Sequence, residues 1–327
     1  MSDFWQFSPG GGAASGRMVS QSTPIGRVCA REGAVARGVA ASVLASCLFA
    51  VMFWYVTLMQ PLTGGEIFGW RMLFNAPCIT LLLVLNREWG LVRSLFGRMR
   101  RRPALVAGVI VCACFVGTQF WLFLWAPLNG YALDVALGFL LLPLGLILVG
   151  RLVFEERLTP AQIGAALLAV VGVGNEIVRV GSVSWVAGFI AIGYPMYFAL
   201  RRKLKTNHQG GMWVEMHLVV PFAVLMIVTG PNSLGTLVDR PALLVLIPGL
   251  GLISAVALTG YYLASHLLRF GLFGLMGYLE PVLLVTVALL LGERIQPGQW
   301  LTYLPIWLAL LVLFGDGVRE LASRRGA

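Results

Sequence analysis

Gly277-Tyr278-Leu279-Glu280-Pro281 is followed by an apolar run and then by Glu293-Arg294-Ile295-Gln296-Pro297-Gly298-Gln299. Nearly the same pattern occurs earlier. There Gly138-Phe139-Leu140-Leu141-Leu142-Pro143 leads through an apolar run to Glu156-Arg157-Leu158-Thr159-Pro160-Ala161-Gln162. Subtraction gives an offset of 137 to 139 residues. A repeat of that length in apolar surroundings points to two homologous helical bundles facing each other across a transport path.

The composition supports a membrane setting. Hydrophobic residues make up 58% of the 327 and charged residues 12%, against roughly 25% charge in a soluble chain. Charge is scarce because each charged side chain near a bilayer centre costs about 2.5 to 3.5 kcal/mol on insertion scales. The net charge of +10 could suggest nucleic acid. The basic residues lie in short loops and tails between apolar runs, however, where they meet lipid headgroups and not phosphodiester backbones. The five cysteines show no metal-ligand or disulfide pattern, and they read as small hydrophobes.

Residues 1–37, rich in Gly, Ser and Arg, read as a disordered cytoplasmic tail without the apolar centre of a signal peptide. Ten apolar runs follow, each near the 20 residues that cross about 30 Å of hydrocarbon. They are 38–58, 67–86, 104–125, 131–150, 161–178, 183–199, 213–230, 243–264, 271–291 and 299–317. Twenty Lys and Arg fall in alternate segments, from the N-terminal tail to the tail at 318–327; Arg179, Arg240 and Arg294 alone fall on the other side. This asymmetry predicts both termini in the cytoplasm. Ten spans divide into 38–180 and 181–317. Five helices per unit force the two units to insert in opposite senses, so the expected fold is all-α, with two inverted five-helix repeats.

Pro143 and Pro281 read as bends inside the fourth helix of each repeat, where a missing backbone donor frees a carbonyl. Thr159 and Gln162 are placed to form a capping box around Pro160, with Pro297 and Gln299 as the equivalent start. Glu156, Arg157, Glu293 and Arg294 are therefore expected to be loop anchors at the membrane surface. Three charges within the spans stand out: Arg71, Asp134 and Glu280. Arg71 and Asp134 have similar inferred depths, which suggests an ion pair, either a structural lock or an outer gate. Glu280 falls near the middle of the ninth span. A carboxyl there either couples flux to protons or stays neutral and hydrogen-bonded to backbone. Tyr194, Tyr197 and Tyr262 are deep enough to line a cavity with Gln119 and His266.

Leu279-Glu280-Pro281-Val282 followed by Gly292-Glu293-Arg294 resembles the second-repeat signature of the EamA family of the drug/metabolite transporter superfamily. Trp125-Ala126, Asn129, Asp134, Leu137-Gly138-Phe139 and Arg71 are most similar to its RarD group. The resemblance spans residues 38 to 317. It departs at Ala136 and Leu142, where that group commonly has Ser and Asn. It implies alternating access for small metabolites, with export of amino acids or related amphipathic compounds as the family's commonest theme. No phosphate-binding Gly-Lys-Ser/Thr loop, His-Glu-x-x-His or Gly-x-Ser-x-Gly occurs. The expected protein is thus a secondary transporter of a bacterial-type inner membrane, without catalytic residues, metal or cofactor. Its partners are a small-molecule substrate, the bilayer and, in a homodimer, a second copy. The competing classes are a non-transporting structural or sensory subunit and an intramembrane enzyme.

Overall fold

A computed structural model describes residues 24–155, 158–180, 184–232, 235–268, 273 and 276–323, with their side chains described between 35 and 316 apart from Val180 and His266. The described chain is helical throughout, joined by turns and short 3₁₀ segments. The helices are α1 (Pro24–Tyr55), α2 (Gly64–Leu85), α3 (Trp89–Arg101), α4 (Pro103–Trp125), α5 (Ala132–Phe154) and α6 (Pro160–Val180). They continue as α7 (Trp185–Leu204), α8 (Gln209–Thr229), α9 (Gly235–Asp239), α10 (Leu243–Leu267), α11 (Leu279–Leu290) and α12 (Trp300–Ser323). Among the described residues eight of these helical segments are long and apolar enough to cross a membrane, and α11 is a shorter apolar helix. Helix is the state expected of such segments, because lipid offers no partner to an open backbone N–H or C=O. The protein is a multi-pass α-helical membrane protein.

Hydrogen bonds across the chain sort the loops into two ends. At one, here the far end, the loops after α1, α4, α8 and α11 and the C-terminal turns of α6 meet: Asn232 N donates to Glu66, Ala132 N to Glu293, and Asn175 to the Gly298 carbonyl. At the near end, Arg98 donates to the carbonyls of Leu204 and Lys205, and Thr159 to Asp316. Helices from the first half of the chain pack against helices of the second. α1 lies along α10, α2 along α8, α6 along α12, and α5 along α7 and α11. Glycine allows the closest of these approaches. A Cβ at Gly69 would sit 2.5 Å from the Ala223 carbonyl oxygen, and one at Gly145 2.3 Å from that of Ala191.

Several expectations are corrected. α1 starts at Pro24, well inside the stretch read as a coil up to residue 37. The basic segment 86–102 holds a helix, α3, with an apolar edge at Val92 and Leu95 and Arg98, Arg100 and Arg101 in its last turn. Its strong amphipathicity keeps it short of a hydropathy signal. The ninth apolar run is not one continuous helix in the described residues. Gly277 and Tyr278 form a turn and α11 begins at Leu279. Pro281 therefore lies in a first helical turn, where no intrahelical donor is missed, whereas Pro143 is interior to α5. The capping box at the start of α6 forms as expected, Thr159 N donating to Gln162 and Gln162 N to the Thr159 hydroxyl. Glu156 and Arg157 lie outside the described residues.

Candidate functional site

Arg71 is 1% exposed on α2, and its surroundings are chosen to hold a cation without a salt bridge. Its Nε donates to the Ser254 hydroxyl of α10 at 3.1 Å. Its guanidinium lies over the rings of Phe120 and Phe123 of α4, 5.0 and 5.9 Å from their centroids. Aromatic faces attract a cation, most strongly where water is excluded. One guanidinium nitrogen, Nη1, is buried with no hydrogen-bond partner among the described residues, and a buried donor left open is costly.

Glu280 lies within electrostatic range of Arg71 and of the phenols of Tyr194 on α7 and Tyr261 on α10. Among the described residues no ion pair joins Arg71 to Glu280. Glu280, Tyr194 and Tyr261 are half-buried. Tyr194 packs on Phe139 at 5.6 Å and on Phe198 at 6.1 Å, and Phe123 meets Phe139 edge to face at 6.1 Å. The result is an aromatic-rich cluster that holds a buried guanidinium and a carboxyl within electrostatic range of each other.

Of the residues singled out from sequence, Arg71, Glu280 and Tyr194 come together here. Asp134 does not. It occupies the first turn of α5 at the far end, where it faces the Ser184 hydroxyl and the carboxylates of Glu293 and Glu176. The expected Arg71–Asp134 contact is therefore corrected. Depth along a helix can be read from sequence, but the direction in which the side chain points depends on which helices are neighbours. Gln119 donates through Nε2 to the Phe189 carbonyl at 3.3 Å, tying α4 to α7. Tyr262 is half-buried with Glu88 of the α2–α3 turn in range. The His266 side chain lies outside the described residues.

Tyr197 belongs to a second polar cluster near the other end of α7. Its hydroxyl donates to Glu215 at 2.8 Å and accepts from Arg201 at 2.9 Å, while Arg201 Nε lies 3.4 Å from Glu215. Arg201 Nη2 also donates to the carbonyls of Thr206 and His208, so the guanidinium folds the α7–α8 turn around itself. His208 caps α8 by accepting from Gly211 N at 3.2 Å. Burial, with Arg201 and Arg98 adding repulsion, pulls its imidazole down to about 4, which keeps it neutral and able to accept. Glu215 is fully buried. Sequence reading missed it, although a carboxylate in the seventh apolar run was the available signal. Also missed were Tyr261, Ser254 and Asn75. Asn75 lies one turn along α2 from Arg71, buried with both amide atoms unpartnered.

A bundle of apolar helices with ionisable groups held among them suits a membrane transporter, and several of its relatives carry that name. The chain is 40% identical over 293 residues to the chloramphenicol-sensitive protein RarD of Pseudomonas aeruginosa, covering 89% of this chain and 98% of that one. It is 36% identical to the uncharacterized transporter PM1281 of Pasteurella multocida, over 88% and 99% of the two chains. It is 25% identical to protein RarD of Escherichia coli, over 86% and 95%. No protein-family model matches. The chain belongs to the RarD-like drug/metabolite transporters.

Proposed function

We propose that this protein is a secondary transporter that exports small metabolites, amino acids or related amphipathic compounds, by alternating access. The observation that carries the reading is that Arg71 and Glu280 share one electrostatic neighbourhood inside the helix bundle, with no ion pair between them among the described residues. On this reading ten helices cross the inner membrane: α1, α2, α4 to α8, α10, α12 and the segment ending in α11. Residues 38–180 and 181–317 form the inverted repeats. The pairing of α2 with α8, α5 with α11 and α6 with α12 supports it, because each pair joins corresponding helices of the two halves, as a two-fold axis requires. Both termini face the cytoplasm and the far end faces outward.

Glu280 is the coupling group. A carboxyl that is dry in one state and hydrated in the other changes its proton occupancy with the cycle. The test is uptake of a metabolite panel into proteoliposomes with and without an imposed pH gradient. Wild-type protein is expected to show gradient-driven flux of at least one solute. Glu280→Gln should retain the fold and lose the gradient dependence. A variant that keeps it would leave Glu280 structural, and a wild type that moves no solute would remove the transport reading itself.

A further inference from the structure

α5 begins without a cap of its own, since its N-cap residue is Tyr131, which makes no side-chain hydrogen bond there. The cap comes from the other half of the chain. Glu293, in the loop after α11, accepts from Ala132 N through one carboxylate oxygen and from Leu133 N through the other, both at 2.7 Å. A carboxylate at a helix N-terminus receives charge-assisted bonds and favourable dipole interaction. A second crossing lies beside it in kind. Glu66 is fully buried in the capping box of α2, accepting from Thr63 N and the Thr63 hydroxyl through Oε2, and its Oε1 accepts from Asn232 N at 2.8 Å. Asn232 also donates to the Pro61 carbonyl at 3.0 Å, and Arg240 to that of Gln60 at 2.7 Å.

Both carboxylates thus join a helix start of the first half to a loop of the second, and both act at the far end. We propose that Glu293, supported by Glu66, is the latch that closes the far end of the transport path. The latch rests on the alternating-access reading. Its chemistry suits a reversible contact. The N–H groups of Ala132 and Leu133 lie at the end of a membrane helix, so water can take over their bonds when the halves part, and the freed carboxylate is hydrated as well. Release therefore exposes no polar group to lipid. Below the latch on α5 lies Val135, fully buried and four residues before Phe139, the ring that packs on Tyr194 of the candidate site. Residues four apart share a helix face, which puts Val135 between latch and site.

The experiment uses the full chain with its five cysteines replaced by alanine, carrying Val135→Cys or Phe198→Cys as the single thiol. Phe198 stacks on Tyr194 from the near-end side. Labelling by a water-soluble maleimide is timed on purified protein. Glu293→Gln is expected to speed labelling at Val135→Cys about tenfold and to slow it at Phe198→Cys, because opening one end closes the other. Glu66→Gln should act in the same direction, and it carries the test if Glu293→Gln does not purify. Faster labelling at both positions would mean a loosened helix start and would overturn the proposal, as would no change at either. If the reciprocal change appears but no solute is ever transported, the latch stands and the transport reading fails.

Discussion

Arg71 shows how far a single residue departs from the pairing its charge suggests. Its charge is met by a hydroxyl and two ring faces, and no carboxylate touches it. Holding an unpaired cation in a dry interior lowers stability, and an apolar residue of similar length removes that cost. Arg71→Met is therefore expected to melt at the same temperature as the wild type or higher, while losing substrate-dependent flux. Scanning fluorimetry and proteoliposome uptake on the same preparation check both halves. A marked fall in melting temperature would assign Arg71 to the architecture and not to the site. That Arg71 and Glu280 are charges within apolar runs was legible in the sequence. That Asp134 faces away from Arg71 was not, because azimuth around a helix axis is fixed only by packing.

At the scale of elements, the α7–α8 turn is built on His208 being neutral. Its folded-state value is depressed to about 4 from 6.5, so between those values the unfolded chain binds a proton that the folded chain does not. The stabilisation is present above about pH 6.5 and is lost as the pH falls toward 4. Protonation also removes the acceptor that caps Gly211 N. His208→Asn keeps a capping acceptor that does not titrate. The drop in melting temperature between pH 7 and pH 4.5 is expected to be smaller in this variant than in the wild type. An equal drop would place the acid sensitivity elsewhere. The capping box of α6 was readable from Thr159, Pro160 and Gln162 because all its partners are local. The cap supplied by Glu293 and the bond from Asn232 N to Glu66 were not, since their partners are 161 and 166 residues away.

For the whole molecule, the asymmetry of twenty basic residues against three predicts that the near end, with the α7–α8 turn at Arg201 to Lys205, faces the cytoplasm. A cysteine introduced at Lys203 should stay unlabelled by an impermeant maleimide in intact cells and react once the membrane is opened. Efficient labelling in intact cells would reverse the orientation and with it the assignment of the far end as the outer one. The alternation of loops between two ends, tied by bonds such as Asn232 to Glu66 and Arg98 to Lys205, is what gives the charge count its meaning.

The sequence by itself determined that this chain spans a membrane many times, where nearly every span lies, and that two stretches around Pro143 and Pro281 repeat. Those properties follow from composition, apolar run length and local spacing, which lipid reads one segment at a time. Only the tertiary structure decided that Arg71, Glu280, Tyr194 and Tyr261 share one electrostatic neighbourhood, that Tyr197 belongs with Arg201 and Glu215, and that the helix before Glu280 is interrupted. These depend on which helices become neighbours and on how each is rotated. That choice is made by side-chain packing, such as the close approaches at Gly69 and Gly145, and an apolar run looks alike from every side.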